Sequence, residues 1–483
     1  MNIKHKGKLW RHAVSSVLAL SLLVPATQPA LAAAESLSAA DRAKEVLSLL
    51  EQNHVSAPDA KKLSDAAIKA MVESLNDPYT QYFTAEQLTE FESSIANQYV
   101  GIGVRVSEQP DGIYIAQVFE GPAQAAGIRI GDVIVGIDGQ SAVGVPLNKA
   151  TAKIMGEPGT EVKLQIVRDG ATSELTVKRE RIQVPVVIAN RFQGVGYVRI
   201  LSFSSDADEM TALFLDGLQA PGELKSLVVD LRDNPGGLLE TAQQLARLFV
   251  KEGTLIHTKN RNNTDEPVTF SGGETQPFPV YFLVNGNSAS ASEVLTGALQ
   301  DYKAITVIGT KTYGKGSVQE VVPLQSGGAL KVTVEEYLTP KLRKVNGVGL
   351  EPDVKVEGGE VPELLTALRT AGLQSITLEL KRISMSVNGL DVVDTFKVVR
   401  ENGQTYVPSR VLAALLGAKV EWNEASRSVQ ITSADGQTSY TPADGDVLLR
   451  EGTSYVSAAK AAEAFSSLEW SDNGQTLKLS TSK

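Results

Sequence analysis

The chain of 483 residues has no cysteine and only four histidines. The first absence excludes disulfides, a lipid-bearing N-terminal cysteine, thiol catalysis and thiolate-held metals. The second excludes a metal centre built on several histidines, because His5 and His12 fall in the leader and leave only His54 and His257. No metal or cofactor is therefore expected, and a Ser-His-Asp arrangement would have to use one of those two residues. Basic charge is also in deficit, with 46 Lys and Arg against 56 Asp and Glu, a formal net charge of −10. The leader holds four of the basic residues, Lys4, Lys6, Lys8 and Arg11, and no acid, so its removal takes the charge to −14 and argues against nucleic acid as a partner.

That leader reads as a secretory signal peptide over residues 1–32: basic residues, an apolar run shorter than the roughly 20 residues of a membrane span, then Ala30-Leu31-Ala32. Cleavage is expected after Ala32, with a retained anchor as the alternative. Residues 33–98 carry apolar positions three and four apart, as in "AADRAKEVLSLLEQ" and "AKKLSDAAIKAMVESL", and predict a helical region. Asn76-Asp77-Pro78-Tyr79 ends its second helix.

From Tyr99 the texture changes to short β-runs with turn glycines, "GIGVRVSE", "GIYIAQV", "GDVIVGIDG" and "EVKLQIVRDG". With "GPAQAAGIRIGDVIVGIDG", residues 99–182 resemble a PDZ domain. The resemblance implies that the amides of Ile102, Gly103 and Val104 receive a peptide carboxylate while the following strand edge pairs with the peptide.

Residues 183–375 alternate strand and helix, predicting an α/β core. Two strands end at sharp junctions, "DLRDNPGGLLE" and "VNGNSASASE". Ser290-Ala291-Ser292-Glu293 fits a capping box, but one serine suffices for a cap, and a strand-to-helix turn also presents a nucleophile beside free helix amides. Among Ser288, Ser290 and Ser292 the sequence alone does not choose. In "TYGKGSVQ", Lys315 lies between Gly314 and Gly316, which suggests close backbone approach or an unusual turn. Buried, such a lysine loses its proton and can serve as a base.

A PDZ-like domain followed by "DLRDNPGG", "NSASASE" and "YGKGSVQ" resembles the C-terminal processing, or tail-specific, serine peptidases. The resemblance implies a crotonase/ClpP-like βα spiral core. It makes Ser290 the nucleophile, 25 positions before the base Lys315, with Gln319 in support, and it places the oxyanion at the amides of Ala291 and Gly236, Gly237 being the fallback. It also implies unfolded or flexible protein C-termini as substrates. A Ser-His hydrolase using His257 and an inactive PDZ scaffold are the rivals. Gln319 reaches Lys315 only if the strand bends, and the bend is expected at Gly316. Lys341-Leu342-Arg343 replaces the glycine that commonly follows "EEYLTP" in the family, so a different turn is expected there.

Residues 376–483 contain an internal repeat, in which Tyr406-Val407 and Trp422 match Tyr455-Val456 and Trp470. Each unit resembles the modules related to the N-terminal domain of copper amine oxidases, found on exported proteins of Gram-positive bacteria. With no histidine beyond His257, copper has no ligands there. The expected whole is multidomain α/β: helical N-terminal region, PDZ domain, peptidase core and small α+β repeats. It is expected outside the cytoplasm at the envelope of a Gram-positive bacterium, as a homodimer through its N-terminal helices and tethered through its C-terminal repeats.

Overall fold

A computed structural model describes residues 38–482 except 96, 97, 184, 221, 382, 383, 393 and 435; the expected leader lies outside them. The chain separates into two compact units, with the boundary between Ser74 and Leu75. In the first, helices Ala39–Asn53 and Ala60–Glu73 start at Ser38 and Asp59, whose side chains accept from the amides of Asp41 and Lys62. Neither helix buries a residue, and Val46, Leu49 and Met71 are more than half exposed.

The second unit opens with strand Gln81–Phe83 and helix Ala85–Ile95. A PDZ-like β-domain follows, its strands lying in the order Val104–Gln109, Gly112–Val118, Val133–Ile137, Glu161–Arg168 and Ala171–Lys178. Alternate positions of these strands, Ile113, Ile115, Leu164 and Ile166 among them, close a core of their own. Strand Val104–Gln109 sits at the edge of the sheet, one side unpaired by the ladder.

The α/β core is a six-stranded sheet in chain order: β1 (Val187–Phe192), β2 (Val195–Ile200), β3 (Ser226–Asp230), β4 (Val280–Val284), β5 (Thr306–Gly309) and β6 (Val354–Lys355). Only β1 and β2 pair antiparallel. Helices α1 (Ala207–Gln219), α2 (Leu239–Arg247) and α3 (Ala291–Asp301) follow β2, β3 and β4. Every residue of β3 is buried, as both faces are covered. Its Leu227 and Val229 face a cluster containing Leu245, Leu295 and Leu299 of α2 and α3. Val228 points the other way, into a cluster with Leu364 and Leu368 of α4 (Glu360–Thr370) and with Leu378, Val407, Leu412 and Phe465 of the C-terminal repeats. The repeats thus share a core with the sheet. Their matched Tyr-Val pairs meet across adjacent antiparallel strands, Val407 opposite Val456.

A second sheet projects the strand Ala329–Leu338, which pairs along its length with Gln81–Phe83, Gly253–Asn260 and Ser317–Pro323. At the tight turn after it Leu342 takes a left-handed φ of 60°, the chain held by Lys341 N donating to Asp301 Oδ2 at 2.8 Å.

Candidate active site

The segments after β3 and β4 are sewn together by the outer two serines. Ser288 Oγ donates to Leu231 O (2.8 Å) and Ser292 Oγ to Asn234 O (3.0 Å), and both are fully buried. Ser290 differs. It has φ 55° and ψ −118°, a backbone that L residues avoid, in a turn closed by Ser292 N donating to Ala289 O at 3.1 Å. A residue so strained at a strand-to-helix junction has its side chain lifted out of the helix start, the geometry of a nucleophile turn. Ser290 lines a cavity of about 320 Å³ with Ala291, Gly237, Lys315, Gln319, Lys331 and the apolar Phe91, Leu239, Ile256 and Val294.

Two buried residues bracket Ser290 and Lys315. The Glu293 carboxylate accepts the amides of Ser290 (3.0 Å), Lys315 (2.8 Å) and Gly314 (2.7 Å) and the hydroxyl of Thr312 (2.5 Å). Burial pushes its pKa up, against these four donors. The Tyr337 hydroxyl reaches the carbonyls of the same two residues, Lys315 at 2.8 Å and Ser290 at 3.2 Å. Gly314 adopts φ 93°, and a side chain on Gly316 would collide with the backbone of Asn346, so both glycines answer a tight approach.

Burial pushes the Lys315 pKa below that of an ordinary lysine, and neighbouring Lys331 pushes the same way, while Asp77 and Glu293 oppose. Its Nζ lies 4.9 Å from the centre of the Tyr79 ring. Gln319 joins the cavity through a bulge between Val318 and Gln319. The expected bend at Gly316 is therefore corrected: the glycine serves close packing, and the register shifts two residues later. The Gln319 Nε2 donates to Ser317 Oγ (2.9 Å) and Thr333 Oγ1 (3.2 Å), which leaves its carbonyl oxygen as the end able to accept from an amine.

The two glycines of the turn differ in their surroundings. Gly236 N already donates to Asn234 Oδ1 at 2.9 Å. A Cβ on Gly236 would stand 2.8 Å from both Ala291 N and Ser290 Cβ, and its φ is 100°. The missing side chain thus leaves space directly over the Ala291 amide, which as the first residue of a helix has no carbonyl partner within it. Gly237, not Gly236, lines the cavity.

Glu293 reads in sequence only as a capping residue, and its carboxylate does accept the Ser290 amide. Tyr337 and Lys331 sit on a strand whose alternation marks no chemistry. Asp77 and Tyr79 read as a helix stop; Asp77 does form a local turn, accepting from Tyr79 N (3.0 Å) and Thr80 Oγ1 (2.6 Å). His257 pairs with Asp265 at 3.0 Å on a hairpin and does not line the cavity. In the PDZ-like domain the carbonyls of Ile102 and Gly103 accept from Ala123 N (2.8 Å) and Phe119 N (2.9 Å), fixing the loop ahead of the edge strand. Ile102 is buried, and Gly103 has φ 82°.

Comparison with known proteins adds an independent line. Peptidase family S41 matches residues 194–356, the PDZ domain residues 100–178, the copper amine oxidase N-terminal domain residues 365–431 and 386–462, and the activating protease CtpB N-terminal domain residues 24–87. A probable CtpA-like serine protease of Staphylococcus haemolyticus (strain JCSC1435) is 34% identical over 349 residues, 71% of this chain and 70% of that protein. One from Staphylococcus aureus (strain COL) is 36% identical over 326 residues, 66% of this chain; the match spans 64% of that relative's length. Among solved structures, the photosystem II D1 C-terminal processing protease is 27% identical with a TM-score of 0.43, covering 68% of this chain and 96% of its own.

Proposed function

The chain belongs to peptidase family S41, and from that premise we propose that it is an exported serine endopeptidase of the C-terminal processing type. In this reading the PDZ-like domain receives flexible protein C-termini through Ile102, Gly103 and Val104, and a Ser290–Lys315 dyad cleaves. Neutral Lys315 takes the Ser290 hydroxyl proton as Oγ adds to the scissile carbonyl. The carbonyl oxygen becomes an oxyanion in the space left by Gly236, against the Ala291 amide, with Gly237 as the second donor. Protonated Lys315 then gives its proton to the leaving amine, and the acyl-enzyme is released by water through the same base. Gln319 orients the amine through its carbonyl oxygen.

One observation supports this reading most: a strained serine and a half-buried lysine, whose charge that burial disfavours, line one cavity, their main chains held by the same carboxylate and the same phenol. The apolar wall of Leu239, Ile256 and Val294 suits an apolar side chain next to the cleaved bond. The reading includes removal of the leader after Ala32, pairing of two chains through the exposed apolar residues of the N-terminal helices, and attachment at the envelope through the repeats. The test is cleavage of an unfolded reporter with a free C-terminus. Ser290→Ala and Lys315→Ala should each abolish it while Ser288→Ala and Ser292→Ala, if folded, keep it; cleavage by Ser290→Ala would overturn the assignment.

A further inference from the structure

A buried set of charges that the proposed reaction leaves unused lies between the glycine turn and the C-terminal repeats. Arg232, wholly buried two residues beyond β3, grips Asp230 with Nε (3.0 Å) and Nη2 (2.7 Å). The same Nη2 lies 2.7 Å from Oδ2 of Asp394, which belongs to the first repeat and is 2% exposed. The other oxygen of Asp394 is 3.4 Å from Arg199 Nη1 on β2, and Arg199 Nη2 is 3.5 Å from Asp233 Oδ2. Asp233 Oδ1 accepts the side-chain amides of Asn285 (2.9 Å) and Asn287 (2.8 Å), in the segment ahead of Ser290. Contacts therefore run unbroken from the repeats to both segments that build the Ser290 turn.

Two arginines meet on one aspartate that the peptidase core does not contain. Without it Arg232 keeps Asp230, the Glu363 carboxylate at 3.5 Å and the Glu360 carbonyl, but Arg199 keeps as its ion-pair partner only the partly exposed Asp233 at 3.5 Å, so the buried Arg199 guanidinium loses its one buried carboxylate contact, the situation in which a charge pulls its neighbours out of place. The join is apolar as well, for the repeats and the second face of the β-sheet close a single core.

We propose that Asp394 is a positioning residue for the peptidase reaction: the C-terminal repeats, through Asp394, lock Arg199 and Arg232 and with them the Asp233–Gly237 turn that leaves room for the oxyanion. The active site is then completed by a module that sequence alone reads as an appendage. The proposal rests on the Ser290 reading given above.

The experiment uses the full mature chain and the unfolded reporter. Wild-type cleavage that disappears in Ser290→Ala establishes the underlying reading; if the wild type does not cleave, both fall. With cleavage in hand, Asp394→Asn should lower kcat by about tenfold or more, part of the roughly 10²–10³-fold lost when an oxyanion donor is removed outright, with KM changed less than about twofold. Leu378→Ala, which loosens the shared core without touching a charge, should lower Tm yet keep kcat near wild type well below melting. Wild-type kcat in Asp394→Asn overturns the proposal, and so does an equal loss in Leu378→Ala at the same folded fraction. Should Asp394→Asn fail to fold, Arg199→Gln cuts the same path on its other side; it should reproduce the kcat loss, and an unchanged kcat there is equally fatal.

Discussion

Ser290 holds a conformation that glycine would adopt freely, and the strain is local to the residue proposed to present its hydroxyl. Replacing it with alanine keeps the Cβ and therefore the strain; replacing it with glycine relieves about 1–3 kcal/mol of steric cost and loses roughly 0.5–1 kcal/mol to the freer unfolded chain. Ser290→Gly should consequently melt higher than Ser290→Ala by the equivalent of about 1 kcal/mol, both being inactive. Equal melting temperatures would mean that the turn is not strained. Lys331 poses the complementary question about charge. It lines the same cavity and disfavours the charged form of Lys315, so Lys331→Gln should raise the Lys315 pKa and move the acid limb of kcat/KM to higher pH. A limb that stays in place, measured by a pH series on a peptide substrate, would show that Lys315 does not feel Lys331. In the sequence the short junctions that carry Ser290 and Lys315 were legible, whereas the choice of Ser290 over Ser288 and Ser292 came only from the family resemblance. Lys331 was not, since a lysine on an alternating strand looks the same whether it faces water or a cavity.

At the scale of elements, the two turns after β3 and β4 are built as one object, and the outer serines of "SASAS" are its stitches. Their number, odd in a lone helix cap, follows from a neighbouring turn whose carbonyls need donors. The strand and helix order of the core was readable from apolar runs and turn residues, whereas the bulge at Gln319 was not. A bulge depends on how the partner strand Ala329–Leu338 is registered, which no local pattern encodes. Helix α4 carries a testable consequence of the same kind. Glu363 is buried against Arg232, with Asp230, Asp394 and Glu360 also facing the cluster, and burial raises its pKa to about 7. Because the folded pKa exceeds the unfolded one, the stabilisation it gives is complete below about 4.5 and is lost as pH climbs through about 7. Tm should therefore fall from pH 5 to pH 8, and Glu363→Gln should flatten that fall. An identical slope in the variant would mean that Glu363 titrates normally.

For the whole molecule the matter, on the proposed function, is how a tail bound at the PDZ domain would act on Ser290. The order of modules was legible from their motifs, but their joins were not, because apolar residues in a repeat fit a private core as well as a shared one. On the PDZ side the join is short and strand-paired. Strand Glu180–Gln183 pairs with Gln98–Gly101, and its Ile182 packs where a Gly103 side chain would begin, 3.6 Å away. A few residues on, Val186 and Val187 already belong to the peptidase core. Arg105, second in the edge strand, is partly buried, and its charge is disfavoured further by Arg199, the residue that also meets Asp394 and Asp233. A carboxylate arriving at the loop would thus act on a strand whose neighbour leads to the glycine turn, and tail binding should shift the population toward an assembled site. A charge-assisted hydrogen bond is worth about 1.5–3 kcal/mol, so an unfolded reporter with a free C-terminus should be cleaved about 10- to 100-fold more efficiently than the same reporter amidated. Gly103→Asp, which sets a negative charge against the incoming carboxylate, should erase most of that difference while leaving the slow cleavage of the amidated reporter in place. Equal rates for free and amidated reporters in the wild type would show that the loop does not read the terminus, and gating by the tail would fall with it.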